Sequence, residues 1–152
     1  MTTMMNPLTQ LLKGTSAYYL LIFIVPVIIG LYGRYRCNHI KDHKDVLEWE
    51  LFKGSSKTFN LDGWSVSHFL LFMIMGYFFP QTLLLSMLLG ASWELFETYV
   101  GKYKPAMIQG MGFCGSPTSH KGKVWWYGKW SDLIMNFLGF IVGRYLTTGR
   151  PR

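Results

Sequence analysis

The charged residues of this chain fall between four stretches that are almost wholly apolar. Those stretches run over residues 17–33, 63–79, 82–100 and 131–146, near the roughly 17 to 25 helical residues that cross a bilayer. Each predicts a membrane-spanning α-helix. Pro26 interrupts the first, which a transmembrane helix tolerates. Pro80 and Gln81 separate the second from the third so tightly that the two must form an antiparallel hairpin. The pattern predicts one all-α domain over residues 1–152, a polytopic membrane bundle of about four helices. Between the first two spans, residues 40–52 carry Val46, Leu47, Leu51 and Phe52 among charged side chains, which predicts an interfacial amphipathic helix. Residues 101–130, rich in Gly, Lys and aromatics, predict an irregular loop. Trp125, Trp126 and Trp130 then form an aromatic belt at the membrane surface.

Composition agrees with a lipid environment. Half of the 152 residues are hydrophobic and 15% are charged, against about 25% in soluble domains. The net charge of +7 sits in segments bordering the apolar runs and forms no aromatic-interleaved groove, which argues against nucleic acid and for anionic lipid headgroups. Cys37 and Cys114 lie far apart with no neighbouring cysteine or histidine in zinc spacing, and support neither a disulfide framework nor a zinc site. The first apolar run has Lys13 alone before it and no small-residue cleavage signal after it, so it reads as a retained helix. Arg34, Arg36, Lys41, Lys44, Lys53, Lys57, Lys102, Lys104, Lys121, Lys123 and Lys129 share one side of the bundle, against Lys13, Arg144, Arg150 and Arg152 on the other. The excess predicts that the first side is cytoplasmic and that both termini face away from it.

Three of the eight acidic residues, Glu94, Glu97 and Asp132, fall within or at the border of spans, where an unpaired charge costs several kcal/mol. Glu94 and Glu97 are three apart, and Asp132 and Asn136 four apart, so each pair shares a helix face. His68 lies just over one turn into the second span. The hairpin topology brings all five to similar depth on the Lys-rich side. Gly139 and Gly143 form a G-x-x-x-G step that lets a neighbouring helix approach. Carboxylates with an amide are ligands for a hard divalent cation, Ca²⁺ first and Mg²⁺ or Mn²⁺ next. His68 suits a general base. The competing expectation is that these groups pair with one another or with Lys102 or Lys129 and only hold the bundle together. A relay for ions or protons fits less well, because no polar residues continue to the far side. His39, His43 and His120 lie in polar segments and read as solvated. The nine methionines read as core filling.

The run Ser65-Val66-Ser67-His68-Phe69, then Trp93-Glu94-Leu95-Phe96-Glu97, Trp125-Trp126, and Asp132 through Asn136 to Gly139 resembles the core of the base-exchange phosphatidylserine synthases. These are multi-helix enzymes of the endoplasmic reticulum. The last part, with Gly143, is also similar to the VanZ-like small membrane proteins. The first resemblance covers about Asp62 to Tyr145. It implies calcium-assisted phospholipid headgroup exchange or phosphatidyl transfer with a small hydroxyl compound such as serine. Glu94, Glu97 and Asp132 would hold the metal, and His68, Asp132 and Asn136 would be catalytic. The chain departs from the synthases at Tyr127, where they carry an acid. The second resemblance implies a non-catalytic membrane protein that binds an amphiphile or a partner protein. The repeated aspartates of the CDP-alcohol phosphotransferases are absent.

Overall fold

Four long helices account for most of the chain in its computed structural model, which describes residues 15–39, 45–56, 59–114 and 126–148. They are α1 (Thr15–His39), α2 (Gly63–Phe78), α3 (Leu83–Tyr103) and α4 (Trp130–Thr148). Ser16–His39 and Leu83–Tyr103 are long and apolar enough to cross a membrane. α2 is strongly apolar but its 16 residues rise only about 24 Å, less than the ~30 Å hydrocarbon layer.

Each helix boundary has a local cause. Asp62 caps α2, its Oδ1 accepting from the Ser65 amide at 3.0 Å, which satisfies one of the orphan donors of the first turn. Pro80 follows α2, and the chain turns into α3 with the Thr82 hydroxyl donating to the Phe79 carbonyl at 2.8 Å. α3 stops where Lys104 takes the left-handed conformation at φ 46° and Pro105 follows.

The expected amphipathic helix over 40–52 is not what forms. Residues 40–44 lie outside the described residues. A short 3-10 turn over Val46–Glu48, capped by Asp45, leads into an antiparallel hairpin of β1 (Glu50–Ser56) and β2 (Phe59–Asp62), with Glu50 opposite Asp62. Gly54, Ser55 and Ser56 are poor helix formers and lie at the end of β1. Val46, Trp49, Leu51 and Phe52 still stand exposed, so an apolar surface survives on a different backbone.

α2 and α4 make the closest contact. A Cβ on Gly139 would run into the Phe69 carbonyl, one on Gly143 into that of Met73, and one on Gly76 into that of Phe140. The G-x-x-x-G step therefore lies at a backbone-to-backbone crossing. One core cluster joins Tyr18, Phe72, Met75, Phe79 and Phe140. A second joins Val100, Ile108, Phe113 and Trp126. Trp126 is thus a core residue, packed edge-on against Trp93, and not part of a surface belt. Trp130 is exposed, and Trp125 lies outside the described residues.

α1 is held at its two ends. Near its start the Tyr18 hydroxyl shares a hydrogen bond with Ser86 Oγ at 3.0 Å. Near its finish Arg36 Nε meets Asp45 Oδ2 at 2.8 Å, a second guanidinium nitrogen meets Glu48, and the Tyr32 hydroxyl donates to Asp45 Oδ1 at 2.6 Å. One residue on, Cys37 forms a disulfide with Cys114 in the loop after α3. This corrects the expectation that the two cysteines support no disulfide: at a separation of 77 positions, spacing carries no sign of a proximity that the helical hairpin creates.

Candidate functional site

The site is built where α2 begins, α3 nears its end and α4 begins. The Asp62 carboxylate that caps α2 also receives the Lys129 ammonium, at 2.7 Å. Lys129 reaches Asp132 Oδ2 at 3.5 Å, and its own backbone amide donates to Glu94 Oε2 at 2.8 Å. Ser65 Oγ donates to Asp132 Oδ1 and lies 3.3 Å from Asp62 Oδ1. One lysine and one serine therefore stitch three elements together. Burial works against the charge on Lys129, but Asp132 and Asp62 outweigh it and hold its pKa above the ordinary lysine value.

His68 faces this cluster from α2. Its Nδ1 lies 2.9 Å from Asn136 Oδ1. A carbonyl oxygen only accepts, so this bond assigns the proton to Nδ1 and leaves a lone pair on Nε2. Nε2 points at Glu94 Oε1, 3.7 Å away, and that oxygen is buried with no hydrogen-bond partner among the described residues. Two lone-pair atoms facing each other, one on a carboxylate, need a proton or a cation between them. His68, Glu94 and Asp132 each offer a ligand atom within 4.8 Å of the others. Beside them is a cavity of about 20 Å³ lined in part by His68, Glu97, Lys129 and Asp132, room for one particle of about the size of water.

Of the residues expected from sequence, His68, Glu94, Asp132 and Asn136 converge. Glu97 lines the same cavity but is outside the 4.8 Å group, and its Oε1 accepts from Trp93 Nε1 at 2.7 Å. Asp62 was given no site role by the sequence, while Lys129 was expected only as a pairing partner of the acidic residues, which it is for Asp132. The available signal was Asp62 three residues before Ser65 at the head of an apolar run, a helix-capping pattern. His39 is exposed, stacked on Tyr35, as expected of a solvated histidine; His43 and His120 lie outside the described residues.

The donor set fits a divalent cation. Two carboxylates and an imidazole whose other nitrogen donates to an amide oxygen form a common ligand arrangement, the second bond fixing the ring. The Lys129 ammonium meets both Asp62 and Asp132, so one positive charge faces two carboxylates. Comparison with protein families, with curated proteins and with solved structures finds no match for this chain.

Proposed function

We propose that the chain is a four-span membrane enzyme that holds a divalent cation between His68, Glu94 and Asp132 and transfers a phosphatidyl group between headgroup alcohols. The unpartnered Glu94 Oε1 opposite the His68 Nε2 lone pair carries the reading. The four-span arrangement is supported by large apolar residues exposed on every helix, among them Phe23, Leu31, Leu70, Leu84, Leu95 and Tyr145. Phospholipid as substrate is supported by the sequence resemblance to the base-exchange synthases and by a polar cluster at the ends of apolar helices.

The cation, Ca²⁺ or a smaller divalent ion, would supply charge neutralisation at the phosphate. His68 then serves better as a ligand than as the base suggested by sequence. Glu97, on the wall of the same cavity, is the carboxylate left to take a proton. In the exchange an incoming alcohol oxygen forms a bond to phosphorus and the bond to the old headgroup oxygen breaks. The proton passes from the incoming hydroxyl to Glu97 and on to the departing oxygen. No oxidant or reductant is needed. Lys129, through Asp62 and Asp132, holds the ligand carboxylate in position.

The test uses the full chain reconstituted in phosphatidylcholine vesicles with labelled serine, ethanolamine or choline. Cation-dependent label incorporation is expected, with Glu94→Gln and Glu97→Gln each lowering it at least a hundredfold, the scale of losing a general base. Folded protein that incorporates no label with Ca²⁺, Mg²⁺ or Mn²⁺ would sink the enzyme. One observation favours the second reading, a non-catalytic amphiphile-binding protein of VanZ-like type. Lys129 already places one positive charge between Asp62 and Asp132, so the cluster has an internal counter-charge. That reading expects lipid binding with no turnover.

A further inference from the structure

Between its two tethered ends α1 stands away from the bundle. The space left there, between α1, α2 and α3, is a cavity of about 560 Å³ whose walls are almost entirely apolar. Ser67, His68, Ser92 and Glu97 are among its polar lining residues, and His68 and Glu97 also line the small cavity of the cation site. Leu21, Ile22 and Met75 line its far, apolar end.

The dimensions select the occupant. Along α1 the lining runs from Leu21 to Tyr32, about 16 Å at 1.5 Å per residue. The groove continues at its polar end into the small cavity beside His68 and Glu97, so its occupant has an apolar tail and a polar end. The length matches one leaflet, half of the ~30 Å hydrocarbon layer. The volume lies within the roughly 300 to 1,000 Å³ of pockets that enclose a small ligand.

We infer that this groove binds one hydrocarbon chain of a phospholipid, with the chain end at Leu21, Ile22 and Met75 and the phosphate beside His68 and Glu97. The inference rests on the headgroup reading of the polar site for the position of the phosphate. The groove itself is independent of it. Bulk lipid around the bundle touches outward residues such as Phe23, which is 79% exposed. A chain in the groove touches the opposite side of α1.

Palmitoyl-oleoyl phosphatidylcholine carrying a diazirine at the end of its palmitoyl chain tests the wild-type protein in vesicles. Crosslinks are expected at Leu21, Ile22 or Met75 in excess over Phe23, Val27 and Leu31. Crosslinks confined to the outward residues would overturn the inference. In parallel, native mass spectrometry of the full chain released from micelles with the same unmodified lipid is expected to retain one lipid. Val25→Trp and Leu71→Trp, which fill the groove, should lower that retention at least tenfold, and Phe23→Trp should leave it unchanged. Equal retention in all folded variants counts against the groove. Mn²⁺ binding to the same preparations separates the two claims: a filled groove with no Mn²⁺ binding defeats the cation site alone, and Mn²⁺ binding with an empty groove defeats this inference alone.

Discussion

The ammonium of Lys129 lies between two carboxylates with almost no contact with water, its side chain 4% exposed and that of Asp62 the same. Removing one member of a buried pair leaves the other charge unpaired and costs about 3–5 kcal/mol. Lys129→Met is therefore expected to lower the thermal unfolding midpoint in micelles far more than a methionine at exposed Lys102. The pH dependence follows from the direction of the Lys129 shift. A lysine whose folded pKa is raised contributes its full stability below the unfolded value of about 10.4 and loses it as pH rises through the higher folded value. This group therefore adds no slope near neutrality, and a fall in stability above about pH 10.4 should vanish in Lys129→Met. Asn136 bears on the proposed cation site differently. Its Oδ1 accepts from His68 Nδ1, and losing such an outer partner typically costs 10–100-fold in metal affinity. Asn136→Leu should weaken Mn²⁺ binding by about that factor, read by titration calorimetry. Unchanged Mn²⁺ affinity in a folded Asn136→Leu protein argues that His68 is not a ligand. Asn136 and His68 stood out in the sequence because polar residues in apolar helices are costly. Asp62 did not, because it lies just outside the spans, where charge is ordinary, and Lys129 entered only as one of two lysines able to pair with the acidic residues.

The same contrast holds for the elements. Helices α1 to α4 were legible because long uncharged runs have few other solutions, and the observed bounds extend the predicted spans by a few residues at most ends. The hairpin was not. Leu47 and Leu51 are four apart, as on a helix face, and that spacing is equally compatible with an amphipathic helix. The disposition of α2 against α4 depends on the glycines. At Gly139 and Gly143 an added methyl has no space, because the obstacle is the backbone of α2. Overpacking of this kind costs about 1–3 kcal/mol. Gly139→Ala should lower the unfolding midpoint and, because Asn136 is one turn away on the same helix, also weaken Mn²⁺ binding. Gly30 is the control: a Cβ there meets only Met111 Sδ at 3.7 Å, an ordinary contact, so Gly30→Ala should change neither. Equal effects of the two alanines would show that the glycine crossing does not hold the site.

At the scale of the molecule, the disulfide and the lysine count disagree about which way the site faces. Cys37 and Cys114 lie on the Lys-rich side, at the end of α1 and in the loop after α3, the end of the bundle that carries His68, Glu94 and Asp132. By charge alone those loops belong in the cytosol. Disulfides, however, persist in oxidising compartments and are rare in a reducing cytosol. The charge rule is a bias in insertion, whereas the disulfide is a covalent feature of the folded chain. On the proposed four-span reading, the disulfide then places the loops and the polar site on the oxidising side and both termini in the cytosol. A tag on either terminus is then expected to resist protease added outside intact cells, and maleimide-polyethylene glycol should label the chain only after reduction. A tag cut from outside, together with two thiols that react without reductant, would restore the orientation read from the lysines. The result also decides which leaflet meets the site. With the loops outside, a lipid of the inferred groove would come from the exoplasmic leaflet, and the headgroup alcohol of the proposed exchange would reach the site from that same compartment.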